Sequence, residues 1–105
     1  MKIVKKPKWD KQDPSRLQVL HSPDGPSKNA AITDPLRAGH RPVGTIGGVE
    51  IEIKLTNIIS ATEAEGVIIR IGPPYLNREN LEDLCLDDIV FIRRRDMSSI
   101  DVEIS

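Results

Sequence analysis

The sequence is nearly devoid of aromatic residues. Trp9, Tyr75 and Phe91 are the only three in 105 residues, so a core has to be built from aliphatic side chains. Cysteine is equally scarce. Cys85 stands alone, which excludes a disulfide within the chain and is the usage expected of a reducing compartment. No apolar run approaches the roughly 20 residues that a membrane-spanning helix needs. The charged stretch Met1 to Lys8 has no apolar segment after it, so it does not read as a secretory signal. These absences lead to the expectation of a cytoplasmic protein with no membrane partner.

Enzyme motifs are missing as well. There is no phosphate-binding loop, nucleophile elbow or zinc-ligand spacing. The segment Gly44-Thr45-Ile46-Gly47-Gly48 is glycine-rich, but it lacks the Lys-Ser/Thr that a phosphate loop requires, and it reads as a hinge. His21, His40 and Cys85 are the soft metal-ligand types, yet none are paired at short spacing. Structural zinc sites use four ligands, so the expectation is two surface histidines and a core thiol, with Cys85 placed between Leu84 and Leu86. Glu82-Asp83 and Asp87-Asp88 are adjacent acids, whereas glycosidase chemistry needs carboxylates across a cleft. They read as helix-capping and turn-solvating groups. The expectation is a protein that is not an enzyme, with no catalytic residue, metal or cofactor.

What the chain does have is a division of charge and composition near Gly44. Residues 1–43 hold nine basic against four acidic side chains, a formal +5, and six of the eight prolines. Residues 44–105 hold six basic against twelve acidic, a formal −6, and 21 Ile, Leu and Val. Most of those are β-branched, and the stiff branched side chain suits a pleated surface. The expected organisation is therefore a basic, Pro-rich, largely disordered or extended arm over 1–43 and a small β-barrel domain over 44–105.

Within the arm, Arg16 to Ser22 reads as one short strand, with Leu17 and Val19 on one face. Ser22-Pro23-Asp24-Gly25-Pro26 is a turn. In the body, Val49, Ile51, Ile53 and Leu55 alternate with Glu50, Glu52 and Lys54, the pattern of a half-buried strand. Gly47-Gly48 ahead of it reads as a flexible joint, and Thr56 to Glu65 after it as a loop. A second strand runs Val67 to Ile71, with Val67, Ile69 and Ile71 on one face, and Gly72-Pro73-Pro74 ends it. Asn77 to Leu84 reads as a short helical turn capped by Asn77. Ile89 to Ile92 is the most apolar strand and the expected centre of the sheet. Met97-Ser98-Ser99 is read as a turn returning Ile100 to Ile104. That register sets Arg95 against Asp101, Arg93 against Glu103 and Ile92 against Ile104. The expected fold is mainly β: a small barrel of the GroES, OB or SH3-like kind, with four or five strands, one short helical turn and an extended N-terminal arm.

Two motifs carry a family resemblance. Gly66-Val67-Ile68-Ile69-Arg70-Ile71-Gly72, followed by Leu86-Asp87-Asp88-Ile89-Val90-Phe91, resembles the central part of the co-chaperonin (GroES-like) barrel over residues 66–91. That family has a strand of the form G-x-V-x-x-V-G, then a loop, then V-G-D-x-V-x-F, and here Asp87 replaces the usual glycine. The resemblance implies a barrel. The family's long mobile loop, which grips the chaperonin ring, has only Thr56 to Glu65 with Ile58-Ile59 as its counterpart here, and the family has no 43-residue basic arm.

The candidate contact residues are cationic. Arg93-Arg94-Arg95 is the sharpest local charge feature, and Lys5, Lys6, Lys8 and Lys11 surround Trp9. Arginine pairs well with phosphates, and an aromatic in a basic segment stacks on bases or docks on a protein surface. The expected function is a non-catalytic protein-interaction or assembly module whose basic arm pairs with the acidic body of a neighbour, giving a homo-oligomer or binding a protein partner. Nucleic-acid binding through the arm and the Arg93–Arg95 cluster is the alternative, with the sequence pI of 6.1 against it. A co-chaperonin-like protein is a further alternative.

Overall fold

The computed structural model describes residues 3–13, 17–20, 35–73 and 78–102, and for Gln18–Leu20 the backbone alone. The fold is mainly β. Among the described residues nine strands run in the order β1 (Val4–Lys5), β2 (Gln18–Leu20), β3 (Arg41–Ile46), β4 (Val49–Ile58), β5 (Glu63–Ile71), β6 (Asn80–Leu81), β7 (Leu84–Cys85), β8 (Ile89–Arg93) and β9 (Met97–Asp101), with a 3-10 turn at Arg94–Asp96 before the last. Seven strands form one mixed sheet ordered β1-β8-β5-β4-β3-β9-β2, and β6 and β7 make a separate two-stranded hairpin.

The alternation in Val49 to Leu55 sets the core. Ile51, Ile53 and Leu55 are almost wholly buried, and each contributes about 1.5–3 kcal/mol by leaving water. They pack with Ala64, Ile68 and Ile71 of β5, Val90 and Ile92 of β8, and Met97 and Ile100 of β9. Gly47 and Gly48 are not a flexible joint. Both have positive φ, 59° and 81°, as the two central residues of a type I′ hairpin turn require, and they link β3 tightly to β4. β4 runs three residues beyond the expected loop start, with Thr56 as the extra residue of a bulge opposite Gly66–Glu65. The bulge turns Ile58 back toward the core.

A second bulge corrects the expected face of β5. Ile53 pairs with Ile68 and Glu52 with Arg70, leaving Ile69 as the extra residue. Adding one residue inverts a period of two. Ile68 and Ile71 therefore point inward and Ile69 is 40% exposed. Gly66 leaves no room for a side chain: a Cβ there would lie 2.5 Å from both Ile53 Cγ2 and the Lys54 carbonyl oxygen.

Three further expectations are corrected. The helical turn lies at Arg94–Asp96 rather than between Asn77 and Leu84, where the described residues form the β6–β7 hairpin, while Asn77 itself lies outside them. Met97-Ser98-Ser99 is strand, not turn, because β8 and β9 do not pair. Arg93 stands opposite Glu63 and Asp101 opposite Arg41, while Glu103 and Ile104 lie outside the described residues. β8 is second in the strand order and β4 is central. Burial decides that order, since β4 has the clean two-faced pattern and β8 buries only Val90 and Ile92.

The sheet curls, but the expected barrel is not closed. Four strand spacings separate β8 from β9, about 19 Å in a flat sheet. Only three residues join them, a span of at most about 14 Å. The two strands therefore have to be drawn toward one another, with the core inside the curve, yet no ladder joins them. The sheet ends are extended instead by β1, parallel to β8, and β2, parallel to β9.

The boundary expected at residues 43/44 falls inside β3, which begins at Arg41. Leu36 and His40, both on the arm side of it, are buried. His40 is thus not a surface residue: its Nδ1 accepts the Arg37 amide at 3.2 Å, and its carbonyl accepts the Leu55 amide at 2.9 Å. His21, with residues 14–16 and the rest of 21–34, lies outside the described residues. Cys85 is exposed rather than core, because alternation in the short β7 strand turns Leu84 inward, at 3% exposure.

Candidate functional site

Two basic regions predicted from the sequence meet on β8. The first is the seam between residues 3–13 and the body. Val4 and Lys5 pair in parallel with Ile89 and Val90. Lys5 Nζ donates to Asp88 Oδ2 at 2.9 Å and to the Asp83 carbonyl oxygen. The hydrogen bond from Lys5 holds the Asp88 carboxyl below its ordinary value, helped by the Cys85 amide. The same bond raises the Lys5 ammonium above its own. This is a charge-assisted pair in partial solvent, so its stabilisation is modest.

Trp9 docks on the body. Its Nε1 donates to the Phe91 carbonyl oxygen at 2.9 Å, and its ring lies over Gly44, so close that a Cβ there would be 2.7 Å from Cε3. The next residue closes the seam. Asp10 accepts hydrogen bonds from the Gly47 amide at 3.0 Å and the Gly48 amide at 2.9 Å, and its own amide donates to the Thr45 carbonyl oxygen. The two turn amides, Gly48 first, hold the Asp10 carboxyl below its ordinary value. Gln12 Nε2 adds a bond to Thr45 Oγ1 at 2.8 Å. Lys8 and Lys11 are exposed.

The second region is the 3-10 turn. Asp96, buried, accepts the Arg93 amide at 3.0 Å, and the Arg94 amide donates to the Thr62 carbonyl oxygen at 2.8 Å. These bonds fix the backbone of three consecutive arginines against the β4–β5 loop. Together Arg93, Arg94 and Arg95 line an open cavity of about 430 Å³ with Thr62 and Glu63. Arg93 Nε lies 3.4 Å from Asp96 Oδ2, so its charge is partly balanced. Arg95 is exposed and has no ion pair among the described residues. Glu63 accepts from Ser60 Oγ at 3.3 Å.

Phe91 connects the two regions. Lys6 Nζ lies 5.8 Å from its ring centroid and the Arg93 guanidinium 6.0 Å, both within cation–π range. Lys6 and Arg93 thus meet at Phe91 of β8, Arg94 and Arg95 follow in the turn that continues the strand, and Trp9 is anchored on the Phe91 carbonyl. Lys5 is turned the other way, into its ion pair. Lys8 and Lys11 are not drawn to the arginines by any contact among the described residues. Sequence reasoning missed Asp10, Thr62, Glu63, Phe91 and Asp96. Asp96 carried a signal, an acid three residues after Arg93 that satisfies the amide opening a tight turn. Asp10 carried none, because its partners lie 37 and 38 residues away.

Among the described residues, no group of three His, Cys, Asp or Glu side chains is placed to hold a metal ion, and no helix is long and apolar enough to cross a membrane. Comparison with protein-family models, curated proteins and solved structures finds no match to this chain.

Proposed function

We propose that the protein is a non-catalytic assembly module whose N-terminal segment is an add-on strand, seated on its own body or exchanged with the body of a second copy. One observation carries this reading: both strands that extend the ends of the sheet, β1 and β2, come from the N-terminal part of the chain. An open sheet edge is a template for another strand, and strand addition is a recurrent mode of protein recognition. The contacts that seat residues 3–13 in one chain are the same that would seat them on another. Exchange of an identical element is a low-cost route to a dimer. The opposed charges of the two parts of the chain favour the same encounter.

Light scattering on the full chain from micromolar to millimolar concentration tests the self-assembly version. The expected result is a mass that rises with concentration and stays monomeric when residues 3–13 are deleted. A strict monomer throughout refutes exchange. A cysteine pair at Val4 and Ile89, with Cys85→Ser, reports the seat directly, because exchange gives covalent dimers and self-seating gives covalent monomers.

A second reading, nucleic-acid binding, is favoured by the grouping of Lys6 and Arg93 about Phe91 beside Arg94 and Arg95. It is disfavoured by the acidic body, and by the engagement of Trp9 and Phe91, which leaves neither ring presented for base stacking. Titration with single- and double-stranded oligonucleotides at low salt tests it, since phosphate binding weakens steeply with added salt. A co-chaperonin-like reading rests on Ile59, 51% exposed after β4, and is tested by mixing the chain with a chaperonin ring.

A further inference from the structure

We infer that the cavity lined by Thr62, Glu63, Arg93, Arg94 and Arg95 is a receptor for carboxylate side chains, and that its occupant is an acidic peptide segment of a protein partner. This goes beyond arm exchange and does not depend on it, because the cavity lies at the 3-10 turn and not on the seam. Three observations support it. The volume, about 430 Å³, falls in the range of ligand sites and holds more than a single small ion. The backbone that presents the arginines is fixed before any ligand arrives, by Asp96 accepting the Arg93 amide and by the Arg94 amide on Thr62. Pre-organisation of this kind lowers the cost of binding. Arg95 is exposed and has no ion pair among the described residues, so its guanidinium fork is open to a bidentate carboxylate.

Glu63 in the wall decides between anions. The lining carries three arginines against one glutamate, and the exposed Arg95 is the one that takes the carboxylate. The oxygens of an ionised phosphate ester only accept and bring no donor to the Glu63 carboxylate, and Asp96 already holds part of the Arg93 charge. A peptide has a further match, because its backbone N–H groups can donate to Glu63 while an acidic side chain takes Arg95.

The test is a titration of the isotopically labelled full chain with a capped hexaglutamate peptide, followed by amide NMR at low and at physiological salt. The expected result is a shift of the Thr62, Glu63 and Arg93–Arg95 amides that saturates, weakens with salt, and loses at least about fivefold in affinity in Arg95→Gln. Arg95→Gln removes an exposed charge, so the rest of its spectrum should overlay the parent's and show that the fold is intact. Absence of shifts at these residues overturns the proposal, as does equal binding by Arg95→Gln. Shifts confined to Lys6, Lys8 and Lys11 overturn it in favour of the N-terminal segment as the anionic contact. Tighter binding of inorganic phosphate or of an oligonucleotide at the same amides overturns the carboxylate assignment.

Discussion

Replacing Gly44 by Ala is the sharpest probe of how residues 3–13 are held. A Cβ at this position would lie 2.7 and 2.8 Å from Trp9 Cε3 and Cζ3, and 3.1 Å from the Asp96 carbonyl oxygen. Real Cβ atoms do not approach this closely, so the indole has to move. Overpacking of this kind costs about 1–3 kcal/mol. A displaced ring also gives up the bond from Nε1 to the Phe91 carbonyl, about 0.5–1.5 kcal/mol. Against this, Gly44 lacks a positive φ, and the smaller entropy of the unfolded alanine chain returns about 0.4–1 kcal/mol. The balance is a loss of about 0.5–4 kcal/mol, centred near 2. Urea unfolding followed by circular dichroism measures it, and Trp9, the chain's single tryptophan, reports undocking as a red-shifted emission. A double-mutant cycle identifies the cause. In a Trp9→Ala background the same Gly44→Ala change should cost nothing or stabilise slightly, giving a coupling of about 2 kcal/mol between the two sites. Parent-like stability and emission in Gly44→Ala would falsify the docking of Trp9. A cost that persists undiminished without the indole would assign the strain to the Asp96 carbonyl instead.

Two other outcomes follow from the seam and from the β6–β7 hairpin. Asp10 and Asp88 have lowered pKa values relative to 3.8, so their contribution is present above that value and is lost as pH falls through their folded values. Lys5 is raised above 10.5, so its contribution is present below that value and is lost as pH rises through its folded value. Docking, read by Trp9 emission, is therefore expected to hold across neutral pH and to fail at both extremes, with Asp10→Asn weakening it at neutral pH; an acid limb of the parent that Asp10→Asn and Asp88→Asn leave unmoved would assign it to other groups. Cys85 is exposed, and it should react with a thiol reagent in the native chain as fast as in urea; protection that disappears only on unfolding would return it to the core and refute the alternation of β7.

The parts of the fold legible in the sequence were those governed by local period. Val49 to Leu55 declared its two faces because nothing interrupts the alternation over that stretch. β5 has an equally apolar sequence, yet its alternation puts Val67 and Ile69 on the face of Ile71 when both lie on the other, since a bulge has no composition of its own and is visible only against Glu52 and Ile53 on the partner strand. The 3-10 turn was misplaced for a related reason. Arg94-Arg95-Asp96 carries no glycine or proline, and what folds it is the demand of Asp96 for the Arg93 amide and of Thr62 for Arg94. The candidate arginines and Trp9 stood out as charge and aromatic anomalies. Their meeting on Phe91 could not be read, because it depends on a parallel pairing between residues more than 80 positions apart.

That pairing has a temporal consequence. β1 and β2 reach the ribosome exit before any of their partners exist, and their neighbours β8 and β9 belong to the most C-terminal described residues. Such long-range closure is entropically expensive and slow. During synthesis the four antiparallel strands β3, β4, β5 and β8 can collect around Ile51, Ile53 and Ile68, while the lysine-rich beginning of the chain waits unseated. On the proposed exchange, the interval between the gathering of β3, β4, β5 and β8 and the seating of β1 is the one in which a second copy's strand takes the edge.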